Sequence, residues 1–231
     1  MNYKTAEENS VLEKPRSESR LFYFDREMAR KNPERLLIGV DEAGRGPLAG
    51  PVVACAAWLP LSAAEQLGEA DDSKKLTEKK RLELFKKMVS LGVRFGFAYS
   101  APEEIDRLNI LNATFKAMRE ASAMLAKHLD GGLGKALVMV DGPHRIRNFE
   151  VSQVPIVDGD AKSLSIACAS VFAKVIRDKW MKILDLQYPQ YGFALHKGYG
   201  TKAHMEKLTV HGASPEHRKS FAPVRDVLCV R

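Results

Sequence analysis

LLIGVDEAGRGPLAGPVVACAAWL, residues 36–59, decides the fold. LLIGVD (36–41) is an unbroken apolar run that meets an acid, the pattern of a strand covered on both faces, and PVVACAAWL (51–59) is a second such run. The Gly-rich AGRGPLAG joins them. Outward from this pair, VRFGFAYS (93–100) reads as a third strand with Phe95 and Phe97 on one side. ALVMVD (136–141) reads as a fourth, closed by the turn Asp141-Gly142-Pro143, and QVPIV (153–157) is short and carries a proline, which places it at an edge. Helical periodicity covers 77–90, opened by Thr77, then about 110–128, then 161–187 with Asp160 as candidate N-cap, and a stretch near 201–210. A shorter helix is expected over 17–31, with Leu21, Phe24 and Met28 on one face and Asn32-Pro33 as its stop. Residues 1–16 read as a mobile tail and 189–201 as a Gly/Tyr/His-rich loop. Strands first, then strands alternating with helices, make an α/β protein with a mixed sheet.

At 231 residues the chain suits one compact core with an appendage. No apolar run approaches the roughly 20 residues that span a bilayer, and the N-terminus has no apolar h-region, so membrane insertion and secretion are not expected. Three scattered cysteines (Cys55, Cys168, Cys229) signal neither a disulfide framework nor a zinc ribbon and fit a reducing cytoplasm. The net charge of +7 is unevenly spread: residues 1–35 carry +1, residues 36–160 carry −1 and residues 161–231 carry +7. Such asymmetry points to polyanion handling in the last third and cation-assisted chemistry in the middle, although a generally basic solvated surface gives the same sum.

The acids are the chemical signal. LLIGVD and ALVMVD each end on an aspartate where a strand should emerge, and the carboxyl ends of strands are where α/β sheets bind ligands. If Asp41, Glu42, Asp141 and Asp160 converge, each pair at 4 Å repels by about 1 kcal/mol in water and about 4 kcal/mol at an effective dielectric of 20. A divalent cation relieves this, and an all-oxygen donor set suits Mg²⁺ or Mn²⁺. Each acid also has a plain reading, as solvated turn, turn or helix cap. Neighbouring side chains on a strand face opposite ways, so Asp41 and Glu42 share an ion only where the strand bends. Gly44-Arg45-Gly46 follows directly and matches neither a P-loop nor GxGxxG; its glycines admit a ligand close to the backbone, or simply satisfy a hairpin turn.

DEAGRGPLAGPVVA (41–54) closely resembles the opening motif of ribonuclease HII, the type 2 ribonuclease H of bacteria. DSKKLTEKKR (72–81), NILNAT (109–114), VDGP (140–143), GDAKSLSIACASVFAKVIRD (159–178), YGFALHKGYGTKAH (191–204) and HRKSFAPV (217–224) resemble that family's later blocks, in order, over roughly residues 34–224. Ribonuclease HIII carries a different glycine loop here, so GRG favours HII. The resemblance implies a ribonuclease H-like mixed sheet flanked by helices, with a tail and short helix at 1–35, a catalytic core at 36–188 and a C-terminal substrate-handling helical region at 189–231. It places the four catalytic and metal-binding carboxylates on Asp41, Glu42, Asp141 and Asp160. Gly44, Arg45 and Gly46 fall on the loop that inspects the ribonucleotide, Tyr199 on a tyrosine that packs against the following sugar, and Ser73 and Lys74 on a block near the nucleic-acid backbone. Cys168 and Phe172 depart from the smaller or aliphatic residues usual there, and Asp158 adds an acid beside Asp160.

By the same resemblance the chemistry is hydrolysis 5′ to a ribonucleotide paired with DNA, through two Mn²⁺ or Mg²⁺ ions, giving 3′-hydroxyl and 5′-phosphate ends. The partners are RNA–DNA hybrid and ribonucleotide-containing duplex DNA, handled by a cytoplasmic monomer, with Lys162, Lys174, Lys197 and Lys202 among the groups neutralising phosphates. Two alternatives remain at this level: a basic nucleic-acid-binding module without catalysis, and a nuclease of the same fold with another substrate.

Overall fold

The computed structural model describes residues 19–67 and 76–229. Ser73, Lys74 and the tail at 1–16 lie outside the described residues. Five strands form one sheet: β1 (Leu36–Ala43), β2 (Val52–Trp58), β3 (Arg94–Ser100), β4 (Ala136–Asp141) and β5 (Gln153–Ile156), in the order β3-β2-β1-β4-β5. The β1–β2 and β2–β3 pairs are antiparallel, while β1–β4 and β4–β5 are parallel. β5 is an edge strand, as Pro155 requires. β2 is buried along nearly its whole length because it has a strand on each side and a helix over each face.

α1 (Arg20–Lys31) precedes β1; between the strands run α2 (Leu61–Leu67), α3 (Glu78–Ser90), α4 (Pro102–Leu108) and α5 (Ile110–Ala126); after them come α6 (Leu164–Gln187), α7 (Phe193–His196), α8 (Lys202–His211) and α9 (Ala222–Cys229). Side-chain oxygens cap several: Thr77 accepts from the Lys80 N–H, Asn109 from Asn112, Ser163 from Ile166 and Thr201 from His204. Ser163 is thus the cap of α6. Asp160 is not; it lies in a one-turn 3₁₀ segment, Gly159–Ala161, just ahead. The 189–201 stretch is not all loop, since α7 occupies one turn of it. The short helices α2, α4 and α9 have no counterpart in the sequence reading; each offers only about two turns of periodicity, and Pro102 at the start of α4 resembles a turn signal as much as a first helical residue. Among the described residues no helix is long and apolar enough to cross a membrane.

α5 covers one face of the sheet, packing Phe115, Met118, Ala121 and Leu125 on Ile38, Val40, Ala54 and Val138. α6 covers the other, with Cys168, Val171 and Phe172 against Cys55, Ala57 and β3. Phe172 stacks on Phe95 at 4.1 Å between centroids and meets Phe85 of α3 edge-on at 5.0 Å, so the unusual residues of that block fill the core. Asp25 docks α1 onto the first turn of α6 by accepting from the Ser165 N–H (2.8 Å) and hydroxyl (2.7 Å), which places an acid at a helix N-terminus.

α6 approaches β1 closely at Gly39, where a Cβ would sit 2.2 Å from the carbonyl carbon of Ser165. This contact is backbone on backbone and cannot be relieved by a rotamer. Gly39→Ala is therefore expected to lower unfolding free energy by about 3 kcal/mol or more, measured by urea denaturation.

Candidate active site

The parallel pairing of β1 with β4 aligns Leu36 with Ala136 and Val40 with Val140, so Asp41 and Asp141 stand one step further on, side by side at the carboxyl ends of adjacent strands. Alternation puts both on the α6 face, along with Gly39 and Met139. Asp41 is buried and accepts from the Glu42 N–H at 2.7 Å and from the Ser170 hydroxyl of α6. Asp141 Oδ1 accepts from the Gly159 N–H at 2.7 Å, with the Asp160 N–H at 3.4 Å, which ties the 3₁₀ turn and its acid to the end of β4. Gly159 is needed there: a Cβ would press Ile166 at 2.7 Å and Asp141 Oδ1 at 3.1 Å.

Asp41, Glu42 and Asp141 feel one another's charge. Burial holds the Asp41 carboxyl well above the usual carboxylate range, and Glu42 and Asp141 push it further the same way. Glu42 is also raised by burial, partly offset by Arg45, whose Nη1 lies 3.4 Å from Glu42 Oε1. β1 does not bend at Asp41; it stays paired through Ala43, so Glu42 lies on the alternate position and takes Arg45 as its partner. The four acids thus occupy one end of the sheet, but among the described residues no three His, Cys, Asp or Glu side chains are gathered to hold a single ion as they stand. Asp158 is exposed, in a left-handed conformation (φ 53°).

Beside Glu42 opens a cleft of about 380 Å³ whose walls include Gly44, Arg45, Gly46, Arg81, Lys174 and Tyr199. The glycine loop is not uniform. Gly44 is buried with φ +97°, whereas Arg45 and Gly46 are exposed, and a Cβ on Gly46 would lie 3.7 Å from the Tyr199 ring. Tyr199 is 46% exposed and faces this loop across the cleft. Its ring is therefore not a core side chain. Of the four lysines expected to face phosphates, Lys202 and Lys162 are exposed, the latter also donating to the Val157 carbonyl. Lys174 pairs with Asp178 at the cleft wall. Lys197 is mostly covered and donates to the Ala194 carbonyl, so its ammonium is not aimed at a ligand.

Sequence reasoning missed the groups that hold this site: Ser170 beneath Asp41, and the buried guanidiniums of Arg177 and Arg218. The signal for two of them was spacing, since Ser170, Ala173 and Arg177 lie three and four residues apart along one side of α6. Arg177 donates to the carbonyls of Pro51 (3.0 Å), Lys197 (3.0 Å) and Ala49 (3.1 Å).

A mixed five-stranded sheet flanked by helices, with acids at the carboxyl ends of neighbouring parallel strands, groups the chain with nucleases of the ribonuclease H fold, as its likeness to solved structures shows. The ribonuclease H2 of Pyrococcus horikoshii OT3 superposes with a TM-score of 0.64 at 25% identity, over 83% of this chain and 96% of that one. Bst-RNase HIII, solved in complex with Mn²⁺, gives 0.71 at 14% identity, over 87% and 72%. The chain belongs to the ribonuclease HII family, whose model matches residues 38–224. Among curated relatives, the ribonuclease HII of Fusobacterium nucleatum is 53% identical over 186 residues, 80% of this chain and 85% of that protein. The activity is accordingly that of a ribonuclease H endonuclease, a type 2 hydrolase acting on RNA-containing nucleic acid.

Proposed function

We propose that this chain, acting as a cytoplasmic monomer, cuts the phosphodiester on the 5′ side of ribonucleotides in RNA–DNA hybrids and of single ribonucleotides embedded in duplex DNA. The observation that carries this reading is the placement of Asp41 and Asp141 on paired parallel strands, beside a glycine loop with Tyr199 opposite. The donor set fits a hard cation: all four acids offer oxygen only, and burial with mutual repulsion makes Asp41 costly to ionise without one. Bst-RNase HIII, with Mn²⁺ bound, supports the same choice of ion.

Asp41, Glu42, Asp141 and Asp160 would hold two divalent cations, Mn²⁺ or Mg²⁺, whose chemistry when bound is to lower the pKa of water and to offset charge on a leaving 3′-oxygen. The residues of the chain do the rest. Ser170 and the Glu42 N–H orient Asp41, and the Gly159 N–H orients Asp141. The exposed backbone of Arg45 and Gly46 can donate to and accept from a 2′-hydroxyl without reading a base, which is what marks a ribose in a DNA tract. Tyr199 packs on the neighbouring deoxyribose, and Arg45, Arg81 and Lys174 lower the charge of the phosphates entering the cleft. Ser73 and Lys74 are proposed to meet the same backbone.

The test is a labelled DNA duplex with one ribonucleotide, incubated with and without millimolar Mn²⁺ or Mg²⁺. A single cut 5′ to the ribonucleotide is expected only with metal, and the same metal should raise the melting temperature because it binds the folded state. Binding without cleavage would return the reading to a nucleic-acid-binding module.

A further inference from the structure

The block His217–Val224 holds none of the four acids, yet His217 and Arg218 are both completely buried. Arg218 sends its guanidinium under the glycine loop, where Nη2 donates to the carbonyls of Gly44 (2.6 Å) and Gly50 (2.9 Å), Nε to Gly50 (3.0 Å) and Nη1 to Arg45 (2.9 Å). The backbone of the same segment pairs with the loop's exit: the Arg218 N–H donates to Leu48, and the Gly50 N–H to Glu216.

His217 points to the other loop. Its Nδ1 accepts from the Ser214 N–H at 3.0 Å, so the neutral ring carries its proton on Nε2. That Nε2 lies 3.1 Å from His204 Nε2, which must then be the acceptor, leaving the His204 proton on Nδ1 to be donated to the Tyr199 carbonyl at 2.9 Å. One fixed tautomer chain thus runs from residue 214 to the backbone of Tyr199. Burial and the adjacent imidazoles of His204 and His196 pull His217 down to about 4, which keeps the chain neutral at working pH.

We propose that the consecutive residues His217 and Arg218 are positioning residues that brace the two sugar-facing loops against each other, Arg218 holding the Gly44–Gly46 loop and His217, through His204, holding Tyr199. The proposal rests on the reading that those loops inspect the sugar. Neither loop belongs to a helix or a sheet strand. Arg177 of α6 and the bond from the Leu48 N–H to the Gly198 carbonyl (2.8 Å) tie the ends of the loops, while Arg218 and the histidine chain reach the residues nearest the gap between Gly46 and Tyr199, namely Gly44, Arg45 and Tyr199 itself. A slot that tests for one hydroxyl needs that gap held to well under an ångström. The choice of residue argues the same way. Burial and repulsion from Arg177 pull Arg218 down to about 9, a penalty that apolar side chains of similar size would avoid, while its rigid planar fork spans three separate loop carbonyls at once.

The two arms predict different losses. Tyr199 meets a deoxyribose only at an RNA–DNA junction, so loosening it should hurt a single ribonucleotide more than a continuous hybrid; loosening the glycine loop should hurt both. His217→Leu is expected to lower kcat/KM about tenfold on a duplex with one ribonucleotide and less than about threefold on a continuous RNA–DNA hybrid. His217→Gln, which keeps an N–H toward His204, should restore most of the ratio between the substrates. In a Tyr199→Ala background His217→Leu should move that ratio no further. Arg218→Lys is expected to lower both substrates alike. If His217→Leu does not fold, His204→Gln breaks the same chain one ring later and carries the same comparison. Equal losses on both substrates, or a full additional loss in the Tyr199→Ala background, would overturn the brace and leave His217 a packing residue. A wild-type enzyme that leaves single ribonucleotides uncut would overturn the reading of the loops and the brace with it. One that cuts them, with the ratio unmoved in the variants, overturns the brace alone.

Discussion

Asp41→Asn is expected to reduce cleavage by at least about 10³-fold while leaving the metal-free protein as stable as the parent or more so. The two effects have one cause. Asp41 is buried, flanked by Glu42 and Asp141, and its folded-state carboxyl is raised, so ionisation is easier in the unfolded chain. A raised acid contributes stability that is full below its unfolded value of about 3.8 and is lost as pH rises through its folded value; at neutral pH the loss is in force. Asparagine removes it and still accepts from the Glu42 N–H. A rise in melting temperature of about 2–4 °C for each kcal/mol recovered is expected at pH 7.5 in chelator, shrinking toward acid pH. Scanning calorimetry of both proteins at pH 4 and 7.5 checks it. A markedly lower melting temperature in the variant would mean that the carboxylate is held by attraction and the crowding account is wrong.

Gly44→Ala carries the other large effect, and Gly46→Ala is its control. At Gly44 the backbone has φ +97°, and a Cβ would lie 2.0 Å from Arg177 Nε and 2.4 Å from its Cδ. Arg177 cannot swing aside without releasing three carbonyls in a dry interior. Backbone strain and the clash together should lower stability by about 3–5 kcal/mol and cleavage by at least about 100-fold. Gly46 has no such constraint: its Cβ would make ordinary contact with Tyr199 at 3.7 Å. Gly46→Ala should change unfolding free energy by less than about 0.5 kcal/mol, with any loss of activity falling on substrate binding. Parallel urea titrations and steady-state cleavage separate the two. Equal stability losses would show that both glycines are structural.

Much of this architecture was legible because its strands are apolar runs bounded by glycine and acid. LLIGVD, PVVACAAWL and ALVMVD fall on β1, β2 and β4 within two residues, and Pro155 marked the edge. Thr77 named its own helix, since an N-cap is a local interaction visible in local sequence. Asp160 failed as a cap for the complementary reason: Ser163, three residues on, serves α6 better, and tertiary ties to Asp141 decide the difference. β1 runs two residues beyond the apolar run. Pairing with Ala54 and Val53 carries the strand past Asp41, which no periodicity in residues 36–43 could reveal. What sequence could not show was support from afar. His217 and Arg218 look like surface residues in a polar stretch, and only the folded chain shows them buried beneath loops encoded much earlier.

That distance has a consequence for biosynthesis. Asp41 waits for Asp141 across a hundred residues of chain, and Gly44 waits for Arg218 across 174. Contacts so far apart in sequence close late. A ribosome translating this message must therefore pass residue 141 before the acid pair can form and residue 218 before the glycine loop can be gripped, so the site is assembled only after the strands that carry its first half have been made.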